Sequence, residues 1–246
     1  MPPKTQSPTS INTYLRCPRK YFLRYIKGYK TKPSIHLITG LAVHQAIARF
    51  TVAHAADDLR SDDKQQVLLE MFDAGWQRQK GELGRLKLSQ GELADHYNAS
   101  RQMLVTWLGR HPICGIVRPE VEVRLFSCRH RLMGIVDAIF RQNGAVTLVD
   151  YKTGSKAEIT RDIKIQMAIY VLLYKDNFGA APHFVAVDFL KHSISRRFRV
   201  TEGLLQAAAD ICARIQEATQ STKEKDYPCR CGGWCEKDFI VENGPR

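Results

Sequence analysis

Gly134-Ile135-Val136-Asp137-Ala138, then Asn143-Gly144, then Leu148-Val149-Asp150-Tyr151-Lys152-Thr153-Gly154 is the stretch whose reading decides the architecture of this chain. Apolar runs from Leu132 to Phe140 and from Ala145 to Tyr151 flank an Asn-Gly pair, a strong signal for a tight hairpin turn. Asp137 interrupts the first run. Asp150 and Lys152 stand two apart at the end of the second, so their side chains share one face. Across the hairpin both carboxylates can converge there. A buried carboxylate pair with no obvious arginine partner is costly unless a cation neutralises it. Two hard oxygen donors suit Mg²⁺ or Mn²⁺, and the adjacent lysine can orient or deprotonate a water or steady a developing phosphorane charge. An isolated Asp-x-Lys is ordinarily a surface pair at a strand end; the second aspartate is what argues for a site.

The same style of reading extends outward. Val121, Val123 and Leu125 alternate like a preceding strand, and Thr160 to Phe178 reads as a helix rich in Ile and Leu, closed by Gly179 in a C-cap position. Phe184 to Phe189 then makes a short buried strand, Arg196 to Val200 a partner strand, and Thr201-Glu202 opens a last helix to about Thr219. Upstream, Thr39-Gly40 followed by Leu41, Ala42, Val43, Ala46, Ile47 and Phe50 reads as an N-capped helix, and the pattern from about Asp62 to Arg110 is helical and more polar. After His111-Pro112 the period turns extended. Helices, three strands, helix and strand predict an α/β domain with a mixed central sheet flanked by helices. We expect a single domain over 1–246: basic helices at about 1–54, a helical insert at 55–110, a sheet core at 111–200, and a helix with a cysteine-rich tail at 201–246.

Charge narrows the partner. The 246 residues carry 37 Lys+Arg against 25 Asp+Glu, a formal net charge of +12, which favours a polyanion. A hydrophobic share of 44% is enough for a full core and argues against a disordered basic tail. Asp57 is the first acidic residue, after Lys4, Arg16, Arg19, Lys20, Arg24, Lys27, Lys30, Lys32 and Arg49. Tyr14, Leu15, Tyr21, Phe22 and Tyr25 interleave with these cations, so an ordered amphipathic segment is expected, with Arg19, Lys20 and Arg24 facing DNA. No apolar run approaches the roughly 20 residues that cross a bilayer, and the first residues lack the apolar core of a secretion signal. A cytoplasmic location with no membrane contact is therefore expected. Seven cysteines in a reducing compartment suggest free or metal-binding thiols rather than disulfides.

Several motifs together carry a resemblance. Gly40-Leu41-Ala42-Val43-His44, Asp137, Asp150-Tyr151-Lys152 and Gln166-x-x-x-Tyr170 resemble the PD-(D/E)XK nuclease superfamily in its RecB-like branch, which includes CRISPR-associated exonucleases and AddB-type nuclease domains. Ser10 to Tyr21 resembles the first helix of that branch. The likeness spans Ser10 to Cys235 and leaves about 55–110 uncovered. It implies a restriction-endonuclease-like core. It also implies a metal shell of His44, Asp137, Asp150 and the Tyr151 carbonyl, with Lys152 as catalytic lysine and Gln166 and Tyr170 positioning DNA or that lysine. Glu120 or Glu122 matches an acidic position on the first strand, and the sequence does not choose between them. Read alone, His44 amid apolar neighbours would be a core histidine, and Gln166 and Tyr170 a polar helix edge and a core aromatic.

Cys114, Cys128 and Cys212 are isolated and read as packing residues. Cys229, Cys231 and Cys235 crowd into seven residues with two glycines, where a loop can wrap an ion. The resemblance implies Cys17 as a distant fourth ligand. Four thiolates suit an iron–sulfur cluster, expected as 4Fe-4S, or Zn²⁺. The gaps of one and three residues depart from the family's usual trio and leave the cluster type, and the presence of any metal, open.

The expected function is a Mg²⁺- or Mn²⁺-dependent deoxyribonuclease, an exonuclease on single-stranded or end-containing DNA, with CRISPR adaptation or recombinational repair as the implied setting and their proteins as implied partners. A catalytically silent nuclease-fold DNA-binding subunit is the alternative. A zinc-ribbon-like nucleic-acid module would explain the tail but not the acidic pair.

Overall fold

The computed structural model describes residues 5–54, 61–110 and 119–239. The expected transition at His111-Pro112 and Cys114 lie outside them. The chain runs α1 (Pro8–Arg16), α2 (Pro18–Tyr21) continuing as a π turn (Phe22–Ile26), α3 (Ile35–His54), α4 (Ser61–Arg78), α5 (Lys80–Arg85) and α6 (Gln90–Arg110). The strands β1 (Glu120–Ser127), β2 (Leu132–Gln142) and β3 (Ala145–Lys152) follow, then α7 (Arg161–Phe178), β4 (Phe184–Phe189), β5 (Ile194–Arg199), α8 (Glu202–Ala218) and α9 (Trp234–Lys237).

The five strands form one sheet in the order β1-β2-β3-β4-β5. β3 and β4 pair in parallel and the other neighbours antiparallel, so the sheet is mixed. Asn143 and Gly144 both have positive φ, 50° and 74°, as a two-residue hairpin turn requires. The register pairs Ala138 with Val149. The ladder ends there, and beyond it the Asp137 side chain accepts from the Tyr151 N–H.

Local chemistry sets the helix ends. The Thr160 side chain accepts from the Ile163 N–H, and Gly179 closes α7 in the left-handed region at φ 79°. Thr201 caps α8 in the same way, accepting from Leu204 N–H. The start of α3 differs from expectation: the helix begins at Ile35, with the Ser34 side chain accepting from the Leu37 N–H at 3.2 Å, so Thr39-Gly40 lies inside it. Pro33 before Ser34 makes that earlier start intelligible, since the proline cannot donate a helix hydrogen bond.

Each sheet face buries its own core. Leu148, Val185 and Val187 pack against Ile169 and Leu173 of α7 and Leu205 and Cys212 of α8. Ala138, Val149, Tyr151 and Ala186 face Val43, Ile47 and Phe50 of α3, Phe72 of α4 and Trp107 of α6. Fully burying one such Leu, Val or Phe contributes about 1.5–3 kcal/mol. The helices from the segment read as an insert thus share a core with the sheet: Trp107 meets Tyr151 edge-on at 6.2 Å. A third cluster, of Tyr21, Phe22, Leu23, Tyr227 and Phe239, joins the two ends of the described chain. None of the helices among the described residues is long and apolar enough to cross a membrane.

Candidate active site and cysteine site

The end of β3 carries Asp150 and Lys152, and α3 and α7 approach it from opposite faces of the sheet. Gly40 lets α3 come close: a Cβ there would meet Thr153 Oγ1 at 3.3 Å. One turn on, His44 Nδ1 lies 3.1 Å from Asp137 Oδ1. The other oxygen of Asp137 accepts from the Tyr151 N–H at 2.7 Å, locking the β2 carboxylate to the β3 backbone. Burial opposes a charged His44 ring, but the Asp137 carboxylate outweighs it, and His44 is held above its ordinary pKa.

From the other side, Gln166 of α7 bridges the remaining pair. Its Nε2 donates to Asp150 Oδ1 at 2.8 Å and its Oε1 accepts from Lys152 Nζ at 2.8 Å. Gln166 Nε2 also lies 3.0 Å from the Tyr170 hydroxyl, one helical turn along. Burial pushes Tyr170 above the usual phenol range, with the Asp150 charge adding to it. Asp150 is 2% exposed. Burial pushes its carboxyl up to about 6 despite the nearby Lys152 ammonium, and Asp137 adds to the rise. Lys152 Nζ pairs with Asp150 Oδ2 at 2.7 Å. Two neighbouring carboxyls, one of them buried, with a single lysine ammonium beside them leave negative charge that a divalent cation offsets.

The ambiguity over the first strand is resolved in space. Glu120 pairs with Arg141 at 2.8 Å, away from the aspartates. Glu122 instead joins His44 and Asp137 in a group whose ligand atoms all lie within 4.8 Å of one another. Burial raises its carboxyl pKa, and the Asp137 charge raises it further. Its φ of 50° is unusual for a glutamate inside a strand and stores strain of about 1–3 kcal/mol at this position. The structure therefore gathers two neighbouring sets, His44–Glu122–Asp137 and Asp150–Lys152–Gln166–Tyr170. The positive φ at Glu122 breaks the alternation of β1: Glu120 meets Arg141, which lies over Tyr174 of α7, whereas Glu122 faces His44 of α3.

The four predicted cysteines also meet. Cys17 Sγ lies 3.6 Å from Cys231 Sγ, and Cys229 Sγ lies 3.6 Å from both Cys231 and Cys235. All four sulfurs fall within 4.8 Å of one another, close enough to hold one metal centre. Backbone N–H groups point at the sulfurs: Arg230 to Cys17 at 3.5 Å, Gly233 to Cys229 at 3.3 Å and Cys235 to Cys231 at 3.1 Å. N–H donation from Cys231 and Gly233 pulls the Cys229 thiol down to about 6. At Cys17 burial opposes the thiolate, yet the Arg230 and Lys20 backbone donors outweigh it and lower its pKa. Desolvation pushes Cys235 up, as expected when several thiols crowd together. Donors built around thiolates fit a metal ion or an iron–sulfur cluster. Cys212 is buried in the core with its thiol pushed up to about 12 by desolvation, and Cys128 is exposed.

The basic N-terminal segment is ordered but partly committed. Arg19 forms ion pairs with Glu224 and Glu236, and Lys20 with Asp238, so the tail's carboxylates take two of the three cations expected to face DNA. Arg24 lies over the Tyr25 ring, 5.2 Å from its centroid.

Fold and site together define a nuclease class. The model of the PD-(D/E)XK nuclease superfamily matches residues 5–237, and the chain belongs to that superfamily, with its restriction-endonuclease-like α/β fold. Nucleases of this superfamily use divalent metals. A solved structure described as "Putative exonuclease" from Eubacterium rectale shares the fold at TM-score 0.58 and 14% identity, covering 99% of this chain and 91% of that one. A second, described as SSO0001, aligns at TM-score 0.34 and 14% identity over 76% of this chain and 89% of its own. No curated protein matches the chain.

Proposed function

We propose that this chain is a Mg²⁺- or Mn²⁺-dependent deoxyribonuclease that hydrolyses phosphodiester bonds in single-stranded or end-containing DNA, acting as an exonuclease. The observation that carries this reading is the buried Asp150 carboxyl beside the His44–Glu122–Asp137 group, with Lys152 Nζ 2.7 Å away. His44, Glu122, Asp137, Asp150 and the Tyr151 carbonyl are the groups that would hold the cation. When bound, such an ion polarises the scissile phosphate and acidifies a water.

The protein groups do the rest. Lys152, tethered by Gln166 and Asp150, presents its ammonium to the attacking water and the charge that builds on the phosphate oxygens. Gln166 fixes the lysine's position, and Tyr170 fixes Gln166. The water oxygen bonds to phosphorus, one P–O ester bond breaks, and the leaving alkoxide takes up a proton. Arg24, with Arg19 and Lys20 beside the tail, would hold backbone phosphates.

In this reading the four cysteines hold a 4Fe-4S cluster, or Zn²⁺ in its place, as a clasp distinct from the catalytic pair. The clasp favours the RecB-like branch, and with it CRISPR adaptation or recombinational repair as the setting. The deciding experiment digests end-labelled linear and closed circular DNA, single- and double-stranded, with Mg²⁺, Mn²⁺ or EDTA. Metal-dependent cleavage from ends, lost in Asp150→Ala, is expected; wild-type rates in Asp150→Ala would overturn the assignment. Cleavage of closed circles would replace the exonuclease by an endonuclease.

A further inference from the structure

β5 is the outer edge of the sheet, and with the turn before it carries Lys191, His192, Arg196, Arg197 and Arg199 without one acidic residue from 190 to 201. All five are exposed. Arg197 lies over the Phe184 ring at 3.7 Å, whereas Arg196 and Arg199 take part in no ion pair among the described residues. Phe198 lies between them in sequence and is 45% exposed, on the face of Arg196.

The register connects this edge to the candidate active site. Asp150 pairs with Val187, and Val187 with Arg196, so the three form one row across the sheet. Residues opposite one another share a face, and two strand spacings separate the backbones of Asp150 and Arg196 by roughly 9–10 Å. Phe198 ends the next row but one, opposite Val185, on that same face. Charge on an edge strand also discourages sheet-to-sheet association. Mixed charges would serve that purpose equally well, and they would not call for an exposed phenylalanine among the cations.

We propose that the β5 edge is a binding surface for single-stranded DNA, with Arg196 holding a backbone phosphate and Phe198 stacking on a base on the face of Asp150, and Arg199, opposite Phe184 on the other face, holding a phosphate round the open edge. Cations tracking a backbone, with an aromatic platform between them, are the chemistry of single-strand binding. The proposal names the substrate contacts of the nuclease reading and rests on it for the purpose of the surface.

Binding can be read without cleavage. Fluorescence anisotropy of a labelled oligonucleotide in EDTA, over a salt series, compares wild type with Arg196→Gln/Arg199→Gln, with Phe198→Ala and with a charge-matched control, Arg78→Gln/Lys87→Gln, two exposed cations at the end of α4 and in the loop between α5 and α6. Two lost phosphate contacts should flatten the log Kd against log salt slope by roughly 1 to 1.5 and raise Kd about tenfold or more at low salt. Phe198→Ala should weaken single-strand binding roughly 5- to 100-fold and duplex binding far less. An unchanged slope in the β5 variant, or an equal change in the control, overturns the surface. Equal losses on single strands and duplex in Phe198→Ala overturn the stacking. Circular dichroism melts of each variant separate lost binding from lost folding. Absence of cleavage by the wild type would sink the nuclease reading while leaving these titrations decisive for the surface.

Discussion

Gln166 Oε1 accepts a hydrogen bond from Lys152 Nζ at 2.8 Å. The same amide donates to Asp150, so one side chain on α7 sets the relative position of an acid and a base on β3. Gln166→Ala removes this tether without removing either group. We expect kcat to fall about 10- to 100-fold, as for residues that orient a reacting group, with KM changed little. Gln166→Glu keeps the acceptor for Lys152 but loses the donor to Asp150, and should recover part of the loss. Steady-state kinetics on a short labelled strand checks both; wild-type kcat in Gln166→Ala would show that the tether is dispensable.

Gly134 tests how α7 is seated. A Cβ there would lie 2.8 Å from Leu173 Cδ1 and 3.0 Å from Tyr170 Cε1, closer than packed atoms allow. Gly134→Ala should push α7 outward, costing about 1–3 kcal/mol, and disturb the Tyr170–Gln166 contact enough to lower kcat. Shortening the obstacle with Leu173→Val in the same chain should return part of the melting temperature. Additive losses in the double variant would show that the contact is not the cause.

Much of this arrangement was legible because it rests on local chemistry. Asn143-Gly144, Thr160, Gly179 and Thr201 each act within a few residues, and each marked its turn or helix end correctly. Ser34 caps α3, while Thr39-Gly40 offers a similar capping signal ahead of the same apolar run, and nothing local ranks the two. The choice of Glu122 over Glu120 depends on the positive φ at Glu122 and on Arg141 of the neighbouring strand, neither of which shows in the local pattern. The acids that occupy Arg19 and Lys20 come from the far end of the chain, more than 200 residues away, beyond any periodicity. The edge position of β5 likewise follows from strand order and not from its own residues.

Burial of Asp150 predicts a pH signature in the metal-free protein. Its folded-state pKa, about 6, lies above the ordinary 3.8, so between these values the native state binds more protons than the unfolded one. Stability should therefore fall as pH rises through this window, and the part due to Asp150 should be absent above it. Asp150→Asn cannot titrate and should flatten this stretch. Added Mn²⁺ should also remove it, because the cation favours the charged carboxylate. Urea melts in EDTA from pH 4 to 7.5 check this. A profile identical in wild type and Asp150→Asn would show that the burial penalty is relieved by some other route.

Cys17 and the tail should act as one clasp. Cys17 and Cys231 are 214 residues apart in sequence and 3.6 Å apart at sulfur. A metal centre joining them restricts the unfolded chain as a long-range cross-link does, an effect of about 2–4 kcal/mol. Other contacts back it up: Thr31 bridges to Phe239, the Lys32 N–H donates to the Asp238 carbonyl at 2.8 Å, and Tyr21 stacks on Tyr227 at 6.2 Å. Loss of the centre should therefore lower the melting temperature and loosen the ends without dissolving the sheet. Anaerobic purification should give a brown protein with iron and sulfide in stoichiometric amount; a colourless protein with one zinc per chain would replace the cluster by a zinc site. Cys17→Ser should lower both metal content and melting temperature, whereas Asp150→Ala should leave the metal of the clasp in place. Full metal content in Cys17→Ser would place the fourth ligand elsewhere, and a stability loss in Cys17→Ser no larger than in Cys128→Ser would show that the ends are held by the aromatic cluster alone.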